Sequence, residues 1–220
     1  PPLRTGFKRL LLVRHGESLG NRARILDSGE ATDNDALTET GKSQAKALGS
    51  VLRDAPLLAD EQSGAMYVGS STMGRAVETA DVIVNEAFID AVRMPPSKQL
   101  VEIGNGKLDG RFIPEVIDEL KATSSAWQRG QIDVRVGETG DSAQTLQDRA
   151  ITGLSDLIGT LPSEASAALI VAHFWVNRSL LALWMGTGLA RMGEIPQPNA
   201  SISVIDVQAS DVRVADVHVV

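Results

Sequence analysis

Apolar and polar positions alternate along this chain in two distinct rhythms. Arg9-Leu-Leu-Leu-Val-Arg14 is a short unbroken apolar run that ends at His15-Gly16. A run of this length reads as a strand buried on both faces and feeding a loop. Ala65 to Gly69 predicts a second buried strand, and Ala167 to Ala172, ending at His173, a third. Helical spacing fills the intervals. Thr38 opens a helix with Ala45, Leu48, Val51 and Leu52 on one face until Pro56 stops it, and Arg75 to Ala87 predicts the next. Ser142 caps a long amphipathic helix through Leu146, Ala150, Leu154, Leu157 and Leu161, and a strongly apolar helix follows around Leu180 to Met185. Ser201 to Val207 and Val212 to Val217 predict a closing hairpin at a sheet edge.

Pro95-Pro96 interrupts this alternation. From there to Gly140 the chain is rich in glycine and polar residues, with one helix expected near Pro114 to Thr123. This stretch, about 93–140, reads as a lid-like insertion over the sheet, not as a separate domain. The expected fold is therefore α/β, a three-layer α/β/α sandwich around a mostly parallel sheet, formed by one domain over 1–220.

Composition narrows the partners. At 220 residues, 43% hydrophobic and 22% charged, the chain suits a water-soluble domain with a full core. No apolar run is long enough to span a bilayer and no signal-type segment stands at the N-terminus, so the expected location is cytoplasmic with no membrane partner. The absence of cysteine removes disulfides, thiolate metal sites and thiol nucleophiles together. A net charge of −7 argues against a nucleic-acid partner. Charge is uneven, however: Arg4, Lys8, Arg9, Arg14, Arg22 and Arg24 face a single acid, Glu17, in the same stretch. An acidic protein with a local basic segment can still draw a small anion to one place.

Candidate chemistry centres on histidine. Of three histidines, His15 and His173 each directly follow an apolar strand. Ligands of open α/β sheets bind beyond the carboxyl ends of the strands, where two such imidazoles can converge. Either one alone reads more readily as a satisfied core histidine.

Their neighbours change that reading. Arg14-His15-Gly16-Glu17-Ser18, with Asn21, resembles the signature of the histidine phosphatase superfamily, the phosphoglycerate-mutase-like proteins of the RHG branch. Further pieces follow in the family's order. Leu37-Thr38-Glu39-Thr40-Gly41 with Gln44-Ala45 resembles its second helix. Ser70-Ser71, Arg75-Ala76 and Glu78-Thr79-Ala80 resemble the segment carrying its second arginine. Leu100-Val101-Glu102-Ile103, with Gly106 and Gly110, resembles its acid loop. Gly140-Asp141-Ser142 with Arg149, His173 and Asn199-Ala200-Ser201-Ile202 complete the set, which spans roughly residues 9 to 205.

The resemblance implies a phosphoglycerate mutase-like fold and a phosphoryl-transfer enzyme needing no metal and no cofactor. His15 is then the nucleophile and becomes a phosphohistidine. It must be neutral to attack, and Arg14 and Arg75 would lower its pKa by like-charge repulsion while holding phosphate oxygens through forked hydrogen bonds. His173 would stabilise the transferring group, and Glu102 would protonate the leaving alkoxide and later activate water. Ser18, Asn21 and the backbone N–H of Phe174 would add phosphate contacts, although an asparagine early in a helix is often only a local cap.

Phe174 departs from the family, which usually has glycine after the second histidine; with Trp175 it is expected to narrow or reshape the pocket. A phosphatase acting on a small phosphorylated metabolite is preferred to a mutase, since mutases of this family carry longer insertions. The acidic loop Asp27 to Asp35, with Glu30 and Asp33 and no basic residue, should also disfavour bisphosphates. The alternatives are mutase-type transfer, a catalytically weak binder of phosphorylated ligands that uses Phe174-Trp175 as a contact surface, and a protein phosphatase. Trp127 and Phe112 read as packing residues before leaving-group contacts, and His218 as a solvent-facing residue.

Overall fold

The computed structural model describes residues 3, 5–29, 32–54 and 66–218. Arg4, Glu30, Pro56 and Ala65, and the side chain of His218, lie outside what it describes. The described chain runs β1 (Phe7–Arg14), α1 (Leu19–Ala23), α2 (Glu39–Arg53), β2 (Tyr67–Ser70), α3 (Gly74–Ala87), β3 (Val92–Arg93), α4 (Ile113–Gln128), α5 (Ala143–Gly159), β4 (Ala167–Ala172), α6 (Phe174–Trp184), β5 (Ile202–Gln208) and β6 (Asp211–His218). The strands form one sheet in the order β3-β2-β4-β1-β5-β6. The four from β3 to β1 are parallel, and β5 and β6 run antiparallel at one edge as the expected hairpin.

The apolar run of β1 divides itself between the two faces because successive strand side chains point in opposite directions. Leu11 and Val13 pack with Ala45, Leu48, Ala76 and Ile83, which belong to α2 and α3. Leu10 and Leu12 pack with Leu146, Leu154, Val176 and Leu180, which belong to α5 and α6. Helices thus cover both faces, and the architecture is the three-layer α/β/α sandwich.

Local chemistry sets the element ends. Thr38 accepts from the Gly41 N–H and starts α2, while Ser142 and Thr145 form a reciprocal capping box at α5. α5 stops at Gly159, two residues short of Leu161, and α4 extends to Gln128, beyond the expected Thr123. Trp127 explains the extension: it is 4% exposed, belongs to the α5/α6-side core, and donates from Nε1 to the Val134 carbonyl at 2.8 Å. Phe112, by contrast, is exposed. The segment after Pro95-Pro96 is tied to the loop after α1, where Ile25 bridges Phe112 and the Leu26 carbonyl accepts from the Gly110 N–H at 2.8 Å.

Candidate active site

β1 and β4 are parallel neighbours, with Arg14 paired to Ala172, so the residues that follow them emerge side by side at the carboxyl edge of the sheet. His15 and His173 are those residues. Their rings lie 5.0 Å apart between centroids, tilted by 54°. Both are buried, at 2% and 0% exposure.

The loop after β1 is held by the residues that matched the family pattern further along the chain. The Gly16 N–H donates to Thr79 Oγ1 at 3.0 Å, the Glu17 N–H to Gln44 Oε1 at 2.9 Å, and Thr38 Oγ1 to Glu17 Oε1 at 2.6 Å. The first turn of α2 sits directly against this loop. A Cβ on Gly16 would stand 2.5 Å from the Gly41 carbonyl oxygen, and one on Gly41 would stand 2.1 Å from that of Glu17. Only glycine allows that approach.

Within this frame His15 Nδ1 lies 2.7 Å from the Gly16 carbonyl. A carbonyl only accepts, so Nδ1 carries the proton in the neutral ring and Nε2 keeps its lone pair. Burial first, then the charges of Arg75 and Arg14, push the His15 pKa well below its ordinary value. His173 is pushed down in the same way, by burial and then by Arg75 and His15. Its Nε2 lies 2.6 Å from Ser71 Oγ, which also accepts from the Met73 N–H at 3.3 Å. The Ser71 hydroxyl can donate to Nε2, and in that tautomer Nδ1 is the protonated nitrogen of His173. That Nδ1 has no hydrogen-bond partner among the described residues.

Two guanidiniums approach the histidines. Arg14 donates from Nη1 to the Gln197 carbonyl at 2.5 Å, and burial pushes its pKa down to about 10, which leaves it charged at neutral pH. Arg75, 3% exposed, donates from Nη1 to Asp35 Oδ1 at 2.7 Å and to Asp27 Oδ2 at 3.3 Å, and from Nη2 to the Asp27 carbonyl at 2.8 Å. Asp35 also caps α3, accepting from the Gly74 N–H at 2.5 Å. The expected acidic loop therefore does more than border an entrance: two of its carboxylates neutralise Arg75. Nε of both arginines is buried without a partner among the described residues. Buried donors left open beside a cleft mark where a ligand's acceptors belong.

That cleft, of about 180 Å³, is lined by the charged residues Arg14, Arg75, Glu102 and Asp27 and by the aromatic residues Phe174 and Trp175, among others. Glu102 Oε1 accepts from the Trp175 N–H at 3.1 Å and from the Ile103 N–H at 2.9 Å, so the acid is docked on the first turn of α6. Its loop is gripped from behind by Arg149, which donates to the carbonyls of Gln99, Val101 and Glu102 at 2.8, 2.7 and 2.8 Å. Asp141 holds Arg149 at 2.8 Å and accepts from the Gly104 N–H at 2.8 Å.

Of the site residues expected from sequence, the structure gathers Arg14, Arg75, Glu102, Phe174 and Ser18 around the cleft; His15 and His173 lie buried against each other and are not among its lining residues. Ser18 and Asn21 cap α1 reciprocally, at 3.1 and 3.3 Å, and Asn21 Oδ1 also accepts from Asn199 Nδ2 at 3.0 Å. Asn21 is exposed and is not among the lining residues. Sequence reasoning passed over the roles of Ser71, Asp35 and Arg149 as partners of the site. Ser71 and Arg149 stood in the matched segments and Asp35 in the acidic loop, but their contacts run across loops that no local pattern reads. Among the described residues no group of three or more His, Cys, Asp or Glu side chains is gathered to hold a metal, and no helix is long and apolar enough to cross a membrane.

Residues 10–219 match the family model of the histidine phosphatase superfamily (branch 1). The chain belongs to that family. It is 31% identical to a probable phosphoglycerate mutase GpmB of Erwinia tasmaniensis, over 92% of this chain and 86% of that protein. It is 30% identical to the 2-carboxy-D-arabinitol-1-phosphatase of Triticum aestivum, over 94% of this chain and 38% of that protein. Among solved structures, phosphoglycerate mutase of Bacillus anthracis superposes with a TM-score of 0.76 at 19% identity, over 97% of this chain and 92% of that one. A mycobacterial glucosyl-3-phosphoglycerate phosphatase gives 0.73 at 20%, over 97% and 98%. This histidine phosphatase superfamily member thus shares the phosphoglycerate mutase-like fold, and its family carries out phosphoryl transfer.

Proposed function

We propose that the chain is a metal-independent phosphatase that hydrolyses a small phosphomonoester through a phosphohistidine on His15. The observation that carries this reading is the set of open nitrogens around one buried ring. His15 has spent Nδ1 on a carbonyl and keeps Nε2, while Arg14 Nε, Arg75 Nε and His173 Nδ1 are buried without partners among the described residues. Three donors suit the equatorial oxygens of a transferring phosphoryl group, and a lone pair suits its phosphorus.

In this reading the Nε2 lone pair of His15 attacks phosphorus, the P–O ester bond breaks, and Glu102 gives its proton to the departing alkoxide. Glu102, now ionised, takes a proton from water. The hydroxide attacks phosphorus, the P–N bond breaks, and its electron pair returns to Nε2. Arg14, Arg75 and His173 hold the oxygens throughout, the Phe174 N–H at the start of α6 adds a further donor, and Ser18 lies within reach at the rim. Residues 93–140 serve as the lid. The substrate is a small phosphorylated metabolite, and the protein works in the cytoplasm as one domain.

A second reading, mutase-type transfer, is favoured by the name of the Erwinia relative. Against it stand Asp27 and Asp35, which already neutralise Arg75 and would repel a second phosphate. Phosphate release from p-nitrophenyl phosphate in excess EDTA tests the proposal. Turnover that survives chelation and disappears in His15→Ala is expected. Equal turnover in both proteins would overturn the assignment of the nucleophile, and interconversion of phosphoglycerates faster than phosphate release would select the mutase.

A further inference from the structure

The charge inventory of the cleft limits what can accompany the phosphate. Among its lining residues the cationic side chains are Arg14 and Arg75, set against Asp27 and Glu102. Arg75 is already paired with Asp27 and with buried Asp35. Arg178, on the next turn of α6, turns its guanidinium onto the Phe174 ring at 3.7 Å and donates from Nε to the Ile195 carbonyl at 2.7 Å. It is not among the lining residues. Once one phosphoryl group is held, no lining cation remains for a carboxylate or a second phosphate, and an anion placed there would face the Asp27 carboxylate.

Most of the remaining lining is apolar: Ile25, Leu26, Ile103, Phe174 and Trp175, beside Ser18, Gly20 and Asn105. The Phe174 and Trp175 rings are half-buried, so part of each remains open. They are also braced. Phe174 meets Trp175 edge-on at 5.3 Å, and Trp175 meets Trp127 edge-on at 5.7 Å. Trp127 in turn is anchored through Nε1 to the Val134 carbonyl. A wall held in place before binding loses little freedom when a ligand covers it.

We infer that Phe174 and Trp175, with Leu26 and Ile103, form a subsite for an uncharged, apolar leaving group, so that the preferred substrates are phosphomonoesters of hydrophobic alcohols. This rests on the proposed chemistry at His15 and deepens it: the side chain that replaces the family's usual glycine selects the alcohol. Covering such surface strengthens binding of the ester carrying the larger apolar group, whereas a carboxylate would be desolvated there without a partner.

Leaving groups of similar acidity separate this effect from intrinsic reactivity. The measurement is kcat/KM for 3-phenylpropyl phosphate, propyl phosphate and 3-phosphoglycerate with the full chain. A preference of about tenfold or more for the phenylpropyl ester over the propyl ester is expected, with 3-phosphoglycerate poorest. In Phe174→Gly and Trp175→Ala that ratio should fall severalfold; Phe174→Leu, which keeps an apolar side chain, should keep most of it if the glycine variant folds poorly. A ratio near one in the wild type, or preference for 3-phosphoglycerate, overturns the subsite while leaving the nucleophile intact. Turnover of none of the three esters counts against the chemistry itself. Calorimetry with 3-phenylpropylphosphonate and propylphosphonate then decides the subsite independently: equal affinity overturns it, and tighter binding of the phenyl compound sustains it.

Discussion

The two halves of the candidate site are built by different means. His15, Arg14 and His173 stand at the ends of adjacent parallel strands, and the strand register alone brings them together. Glu102 and Asp27 stand on loops, and each reaches the cleft only because a partner from elsewhere holds it. Glu102 leans on the start of α6 and on Arg149, while Asp27 leans on Arg75. In the proposed mechanism the strand-borne half carries the groups that meet phosphorus. The loop-borne half carries the proposed proton donor, Glu102, and the acidic residue Asp27. Substitutions should therefore act differently in the two halves: all-or-none at the strand ends, graded in the loops.

The largest effect belongs to the strand ends. His15→Ala removes the nucleophile and should lower kcat for p-nitrophenyl phosphate by about 10⁴-fold or more. His173→Gln should lower it by about 10²–10³-fold through loss of one oxyanion donor. Ser71→Ala should reproduce part of that loss, because it frees the His173 tautomer. Rates measured on folded, monodisperse variants check all three, and a His173→Gln enzyme within threefold of wild type would place this histidine outside the chemistry.

In the loop half Arg149→Met is the sharpest probe. It removes the donors to the carbonyls of Gln99, Val101 and Glu102 and the partner of Asp141. We expect a fall of about tenfold in kcat with KM changed less than threefold, and a loss of about 2 kcal/mol in stability. The effect on kcat should be smaller for p-nitrophenyl phosphate, whose leaving group needs little protonation, than for an alkyl ester. An equal loss on both substrates would mean that Arg149 supports the fold without setting the position of the acid.

The same division decides what could be read from sequence. The apolar runs of β1 and β4 predict both strands and hence the emergence of His15 and His173 at one edge, because burial on both faces leaves a continuous signal. The capping of α2 by Thr38 and of α5 by Ser142 was legible for a similar reason, being local. Arg75 was recognisable by position, but its clamp by Asp27 and Asp35 was not, since a contact across some 40 residues leaves no periodicity. Asn21 is the opposite case. Its place in the motif suggested a phosphate contact, whereas its side chain closes a capping box with Ser18 and bonds Asn199. The third strand of the parallel set, β3, is only two residues long, too short for any hydrophobic pattern to announce.

Acid should weaken the strand-borne half specifically. His15 and His173 have folded pKa values pushed well below 6.5, so in mild acid the unfolded chain takes up protons that the folded protein refuses. Their contribution to stability is fully present above pH 6.5 and is lost as pH falls through and below that value. Between pH 7 and 5.5 each histidine should account for about 1 kcal/mol of lost stability, in a window above the ordinary carboxylate range. Urea denaturation at the two pH values measures it. His15→Gln should lose about 1 kcal/mol less than the wild type over the same interval, and an unchanged pH dependence would show that His15 is not held neutral.

The smallest predicted effect lies at the loop rim. Asp27 shares Arg75 with Asp35 and accepts from Thr32 Oγ1 at 2.9 Å. Burial raises its pKa despite the guanidinium, so the carboxylate is held at some expense in desolvation. Asp27→Asn keeps the size and a hydrogen-bond acceptor but removes one negative charge from Arg75, leaving Asp35 in place. Inorganic phosphate, as a competitive inhibitor, should then bind about threefold to tenfold more tightly, and a bisphosphate should gain more than a monophosphate because it meets one fewer like charge. The gain should shrink with added salt where the cleft is open to solvent. Weaker phosphate binding in Asp27→Asn would instead mean that this carboxylate positions Arg75 for the ligand, and would move Asp27 from the graded half of the site into the all-or-none half.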